Sequence, residues 1–361
     1  MEQKLRSISL IKRKRNPLNT RFNKIRLEKN ERISELESFF LKKIKKNLKS
    51  EHITAYPESE KLYQKIANKN KVKKEMIVIT AGSDLAIKNC FEVFVSPKDE
   101  VVTIDPTYGM VDVYAKLFKA KQIKIKYDKN MLIKIEQICE KINKKTKLVI
   151  VANPNSPTGT VLSEKNIEKI LIKAKKNNSH VLVDECYYGY YKKTVLNLLP
   201  KYNNLIISRS FSKCGLAGCR IGFLISSKKI AQLLYKFRPF YEITSFSSFV
   251  LEEALNSKTI IQKYIKDTIS GKKYLEQQLN NLKKNFFKTN TNFILLKFKS
   301  RSLKDKLRNY LLAKNFLVLG ESKLIEGEKI LRITLGPKKY MKMLVDKLYL
   351  FVKNNKRTKE Y

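Results

Sequence analysis

The stretch LIISRSFSKCGLAGCRIGFLIS, residues 205–226, sets two short apolar runs on either side of a polar turn. LIISRS (205–210) and RIGFLIS (220–226) are too short for helices and rich in branched side chains, so both read as buried strands. Between them Ser210, Ser212, Lys213 and Arg220 gather at one end of the strand pair. Upstream the same pattern repeats. MIVIT (76–80), VVTI (101–104), QIKIKY (122–127), KLVIVA (147–152) and HVLVDE (180–185) are further predicted strands. Amphipathic stretches separate them, with helices opening at Ser83–Asp84, near Thr107 and at Ser163–Glu164, residue types favoured at helix N-termini. Such alternation implies an α/β fold: a mostly parallel central sheet with helices on both faces.

Downstream of Pro239 the pattern changes. A helical region is predicted from about Phe246 to Leu282 with one break, then the strand FILLKF (293–298) and a helix from Ser302. Short strands near Leu317 and Leu331–Leu335 and a last helix from Pro337 complete a smaller α+β lobe. Before the first strand, Ile33, Leu36, Phe39, Phe40, Ile44 and Leu48 recur at helical spacing across Arg32–Leu48. The expected division is a basic arm (1–24), a segment associated with the small domain (25–48), a large domain (49–240) and a small domain (241–361).

The 361 residues suffice for a sizeable core, and 43% hydrophobic content separates the chain from disordered compositions. The formal net charge of +43 raises the question of a nucleic-acid partner. The lysines are spread along the whole chain, however, and no nucleic-acid motif appears, so they read as solvated faces. The five cysteines, Cys90, Cys139, Cys186, Cys214 and Cys219, form no CxxC pair and imply neither a disulfide framework nor a metal site. No apolar run is long enough for a bilayer and the charged N-terminus lacks a hydrophobic signal core, which points to the cytoplasm.

Ligands of open α/β sheets sit beyond the carboxyl ends of the strands. There the sequence places Gly82-Ser83-Asp84 at a helix start suited to a phosphate, Tyr108 after Asp105-Pro106, and the stiff turn Asn153-Pro154-Asn155-Ser156-Pro157-Thr158-Gly159. Asp184 ends an apolar strand with Tyr187 three residues on; Ser210, Ser212, Lys213 and Arg220 follow. Singly each has a bland reading: an Asp at a strand end is usually a cap, and a lysine here usually a solvated lysine. In this order they supply a lysine, a buried acid, a stacking tyrosine and a phosphate cradle, the requirements of a pyridoxal-phosphate site.

At this point the chain resembles the fold-type-I pyridoxal-phosphate enzymes, and within them the histidinol-phosphate aminotransferase-like branch. The stretches carrying the resemblance are IRLEKNE, AYPE, TAGSD, DPTYGM, NPNSPTG, VLVDECYY, SFSKCGLAGCRIGF, TNFILLKF and LRITLG, which span nearly everything after the basic arm. The resemblance implies that Lys213 holds the cofactor as a Schiff base and moves the substrate proton. It implies Asp184 at the pyridine nitrogen, Tyr187 with Asn155 or Ser156 at the phenolic oxygen, and Tyr108 on the ring face. Gly82, Ser83, Asp84, Ser210, Ser212 and Arg220 would hold the phosphate, joined by Tyr56 from the other subunit of a homodimer. Arg332 would bind the acidic end of the substrate, an amino donor such as glutamate or a keto acceptor.

Three positions depart from the branch pattern. Ser156 stands where asparagine is usual, the loop from Lys213 to Arg220 is one residue short, and Leu319 or Gly320 stands where an arginine for the substrate phosphate is expected. Lys323 lies nearby. Two other classes stay open on these residues: a decarboxylase resembling the phosphothreonine decarboxylases, and a non-catalytic nucleic-acid-binding protein using the positive charge.

Overall fold

The computed structural model describes residues 21–128, 130–257, 259–320 and 329–355. Its first strand, β1 (Ile25–Leu27), lies apart from the central sheet. That sheet contains β2 (Ile77–Thr80), β3 (Glu100–Asp105), β4 (Lys121–Lys126), β5 (Thr146–Ala152), β6 (His180–Asp184), β7 (Leu205–Ser210) and β8 (Gly222–Ser226). The spatial order is β2-β8-β7-β6-β5-β3-β4. Every pairing is parallel except those of β8, which runs antiparallel to both β2 and β7. Helices supply the crossovers that parallel neighbours require. β8 returns directly from β7 through the turn at 211–221, which leaves no room for a crossover and so reverses its direction.

The sheet is buried on both faces because its strands are apolar at successive positions. Ile77, Ile79, Val149, Val151, Val181 and Val183 face one core; Val78, Leu148, Ile150, Leu182, Ile206 and Leu224 face the other with Ala86, Cys90 and Phe91 of the helix Gly82–Phe94. β4 lies at the sheet edge with exposed lysines, the alternation expected of a strand with one wet face. The helix Glu164–Lys176 starts where Ser163 accepts the Asn166 N–H, and buries Ile167, Ile170, Leu171 and Ala174 at helical spacing.

A second core is built from the C-terminal third. β10 (Phe293–Phe298) lies between β9 (Phe286–Phe287) and β12 (Lys329–Thr334), all antiparallel, while β11 (Phe316–Val318) pairs in parallel with β1. Leu27, Ile33, Leu275, Leu279, Ile294, Leu331 and Leu344 pack together here. The predicted helical region downstream of Pro239 is two helices, Ser245–Asn256 and Ile260–Asn281. The second of these begins in the large core at Ile260 and Ile261 and ends in the second at Leu275 and Leu279.

One helix is shorter than its periodicity suggests. Of Arg32–Leu48, only Ser38–Asn47 is helical. The Arg32 guanidinium takes the carbonyls of Ser34 and Glu35 and the Glu37 carboxylate, and lies over the Tyr264 ring at 4.6 Å. Those contacts fix the segment in an irregular path from the second core at Ile33 to the first at Phe40. Among the described residues the five cysteines are free and no helix is long and apolar enough to cross a membrane. Most of the expected basic arm, and Lys323, lie outside the described residues.

Candidate active site

The carboxyl ends of β2, β3, β5, β6 and β7 point to one edge of the sheet, and β8, being reversed, begins there. A cavity of about 760 Å³ opens at that edge, walled by Ser83, Asp84, Tyr108, Ser156, Asp184, Tyr187, Ser212, Lys213, Arg220 and Arg332. Strand order in the central sheet thus brings together residues far apart in sequence, and Arg332 joins them from β12 of the second core.

Lys213 follows β7 on the short helical turn Ser212–Leu216. Its Nζ donates to the Lys29 carbonyl at 3.3 Å and lies 6.0 Å from the Tyr187 ring centre. Burial pushes its pKa down, which favours the neutral amine that a nucleophile needs. Asp184 ends β6 and is 3% exposed. Burial raises its pKa to about 6, partly opposed by the Cys186 backbone N–H, which donates to Oδ1 at 3.2 Å. No ion pair neutralises it among the described residues. A carboxylate held this way favours a cationic ligand atom, because pairing would remove the cost of its burial.

In the same part of the cavity the chain makes an anion cradle. Gly82 opens the helix Gly82–Phe94 with φ +83°, and a Cβ there would meet the Arg220 guanidinium at 3.0 Å. Gly222, at the start of β8, is required by close approach: a Cβ would lie 2.6 Å from the Gly82 carbonyl carbon and 2.7 Å from the Ser83 nitrogen. These two glycines let β8 and Arg220 press against a helix N-terminus. Arg220 itself is left-handed (φ +53°), and its Nη2 donates to the Ala81 carbonyl at 3.2 Å. The shortened loop therefore still delivers the guanidinium to the cradle. The Ser212 hydroxyl is buried with no hydrogen-bond partner. An orphaned hydroxyl beside an arginine and free helix amides fits a phosphate, and the unneutralised Asp184 fits a pyridinium nitrogen. The residues present therefore fit pyridoxal phosphate.

Tyr187 is 2% exposed, its ring edge-on to Phe293 at 5.7 Å, and its hydroxyl accepts from Asn30 Nδ2 at 2.9 Å. Ser156 also reaches that hydroxyl. Burial raises the Tyr187 pKa, so the phenol is neutral and can donate. Tyr108 stands in the cavity wall with its own pKa raised by burial.

Two expected residues, Asn155 and Ser210, turn away from the cavity, and Tyr56, expected at the other subunit's phosphate, lies outside this one. Asn155 does not face the cavity. Its amide donates to the Pro106 carbonyl at 2.8 Å and Thr158 Oγ1 at 2.9 Å, and its oxygen accepts from Thr107 at 2.8 Å. The side chain is consumed in fastening two loops, so Ser156 alone of the pair lines the cavity. Ser210 likewise turns inward: its Oγ accepts the Ser212 N–H at 3.1 Å and shapes the lysine turn. Tyr56 is 74% exposed, stacked on Tyr241 at 4.3 Å, and lies outside the cavity walls.

The sequence reading missed the segment 28–30. The Glu28 carbonyl accepts from Arg332 Nη2 at 2.8 Å, the Lys29 carbonyl from Lys213, and the Asn30 side chain donates to Tyr187. Asn30 is 2% exposed with φ +54°; its N–H donates to Thr334 Oγ1 at 2.9 Å and its carbonyl accepts from Asn292 at 3.1 Å. An asparagine in a polar run carries no local signal for this role.

A lysine amine and a buried carboxylate in one cavity, with an anion cradle at strand ends, are the features of a pyridoxal-phosphate enzyme of fold type I. The chain belongs to the class I and II aminotransferase family, whose model matches residues 23–348. It is 30% identical over 318 residues to the histidinol-phosphate aminotransferase of Caldanaerobacter subterraneus subsp. tengcongensis, covering 87% of this chain and 89% of that one. The corresponding enzyme of Pelagibacter ubique is 32% identical over 307 residues, covering 83% and 84%. Among solved structures, histidinol-phosphate aminotransferase from Sinorhizobium meliloti in complex with pyridoxal-5'-phosphate superposes with a TM-score of 0.80 at 20% identity, covering 94% of this chain and 95% of that one. The aromatic aminotransferase of Pyrococcus horikoshii gives 0.78 at 18% identity, covering 98% and 99%, and these two likenesses speak for the fold. Of the three readings opened by the residues, the comparisons support the aminotransferase.

Proposed function

We propose that the enzyme moves an amino group from a donor such as glutamate to a keto acceptor in two half-reactions at one cavity, with the following division of labour. Bound pyridoxal phosphate supplies an electron sink for the substrate bond being broken. Lys213 carries the reading: its desolvated Nζ would hold the cofactor and, once displaced by substrate, move the proton between the substrate Cα and the cofactor C4′. Asp184 stays ionised opposite the ring nitrogen. Arg220, the Ser212 hydroxyl and the amides at Gly82, Ser83 and Asp84 hold the phosphate. Tyr187, Ser156 and Asn30 address the phenolic oxygen, Tyr108 covers the ring, and Arg332 binds the acidic end of the substrate. Ser210 and Asn155 act one step back, as positioning residues.

A homodimer with shared sites is part of the same proposal. Ile53, Tyr56, Phe240, Tyr241 and Phe246 are exposed, with Tyr56 stacked on Tyr241 and Phe240 edge-on to Tyr241. Tyr56 would then reach a phosphate in the partner's cavity. A cytoplasmic location and a division into a large and a small domain complete it. Leu27 and Ile33 join the second core, whereas Phe40 of the same segment, and Leu251, Ile260 and Ile261 downstream of residue 240, pack in the first, so the expected bounds 25–48 and 241–361 each straddle the two cores.

Purified enzyme should absorb in the visible through its lysine-linked cofactor, and L-glutamate should bleach that band with formation of 2-oxoglutarate. Lys213→Ala should lose the covalent link and at least about three orders of magnitude in rate. Visible absorbance persisting unchanged in Lys213→Ala, or carbon dioxide released in place of 2-oxoglutarate, would overturn the proposal.

A further inference from the structure

The side of the cavity lined by the second core, its outer end here, carries an apolar wall of Leu312, Leu317 and Leu319. Two further arginines reach this end, Arg21 and Arg308. They differ in what holds them. Arg21 is neutralised by Glu28 at 2.7 Å and Glu31 at 2.5 Å. Arg308 projects from the helix Arg301–Ala313, and the acid one turn before it, Asp305, is paired instead with Arg301 at 3.7 Å and Lys304 at 3.2 Å. Among the described residues no ion pair includes Arg308.

What brings Arg308 to the cavity is Gly320. A Cβ at that position would lie 2.6 Å from Arg308 Cδ and 3.3 Å from Nε, so the arginine stem crosses the strip of backbone that a side chain would otherwise cover. Gly320 is not among the glycines with positive φ, so close approach and not backbone freedom is what the glycine serves. The side chain of Leu319 beside it offers no polar atom. Arg308 thus reaches the same cavity as Lys213 as a cation without an ion-pair partner among the described residues.

We propose that Arg308, laid across Gly320, is a specificity-determining residue that binds the anionic tail, a phosphate ester or a carboxylate, of the substrate whose amino end lies at Lys213. The inference rests on the aminotransferase reading of the same cavity. A guanidinium fork suits either oxyanion, and with Arg332 it would put two arginines on a doubly charged tail.

The test uses the cofactor-loaded enzyme and two independent variants. Arg308→Gln removes the charge; Gly320→Ala keeps it but pushes the stem aside, a shift that a flexible side chain absorbs without unfolding. With histidinol phosphate as amino donor, both variants should raise KM roughly ten- to a hundred-fold, with kcat within about two-fold and histidinol, which lacks the tail, unaffected. Arg308→Lys should recover part of the loss. Calorimetric binding of the unreactive anions glycerol 3-phosphate and succinate reads the same site without turnover and separates phosphate from carboxylate preference. Weaker binding of either anion in both variants supports the proposal, even if no amine is turned over, in which case the aminotransferase reading fails alone. Equal binding in wild type and variants, or no binding of either anion to wild type, overturns it.

Discussion

The two ends of the cavity are built by different means. The cofactor end is assembled from strand termini of one sheet, where hydrogen-bond register fixes each side chain relative to the next. Gly82 and Gly222 allow helix and strand to close on each other, and Ser212, Asp184 and Lys213 are each left with an unmet chemical need. The outer end is lined by β11, β12 and one helix of the second core, and its cations arrive on long side chains from separate elements. A rigid end that dictates chemistry is joined to a composite end that dictates which molecule is admitted. Substitutions of the first kind should abolish reaction; those of the second should redirect it.

The largest effect short of losing Lys213 is expected at Asp184. Asp184→Ala should lower kcat by two to three orders of magnitude while leaving the fold intact, measured by half-reaction rates. Its titration gives a second handle. Because the folded-state pKa, about 6, lies above the ordinary 3.8, burying this carboxylate costs the cofactor-free protein stability as pH rises through that window. The cost is on the order of 2–3 kcal/mol at neutral pH. A cationic ring nitrogen opposite Asp184 relieves it, so the rise in Tm on adding cofactor should be greater at pH 7.5 than at pH 5. An equal rise at both would detach Asp184 from the cofactor.

Gly222→Ala comes next. The added methyl meets backbone at 2.6 Å, so β8 or the helix start must shift, at about 1–3 kcal/mol. The comparison of ends sharpens if cofactor affinity falls, by equilibrium dialysis, more than urea stability does. The smallest effect is expected at Ser156→Asn, which restores a longer polar side chain near Tyr187. A change of less than about ten-fold in cofactor affinity is expected, since Asn30 already holds that hydroxyl.

The cofactor end was legible in the sequence to the extent that its information is local. Lys213, Asp184, Tyr187 and Arg220 each sit within a few residues of a strand end, and strand ends follow from apolar periodicity. Ser210 and Asn155 were misplaced for a related reason: being at a strand end does not say whether a short polar side chain faces the cavity or closes a turn. In both, main-chain and loop hydrogen bonds won. The over-long helix at Arg32 failed because periodicity cannot see a guanidinium that captures its own neighbouring carbonyls. Arg308 and Asn30 were invisible because their partners, Gly320 and Tyr187, come from other parts of the chain.

The segment Glu28–Asn30 has one more consequence. Three consecutive residues meet Arg332, Lys213 and Tyr187 in turn, and the first two contacts are made by main-chain carbonyls. Any amino acid at position 29 presents the same oxygen to the lysine. What those positions transmit is spacing and not identity, so exchanging the side chain of Lys29 leaves the contact in place, whereas adding or removing one residue there would put an amine, a phenol and a guanidinium out of step together.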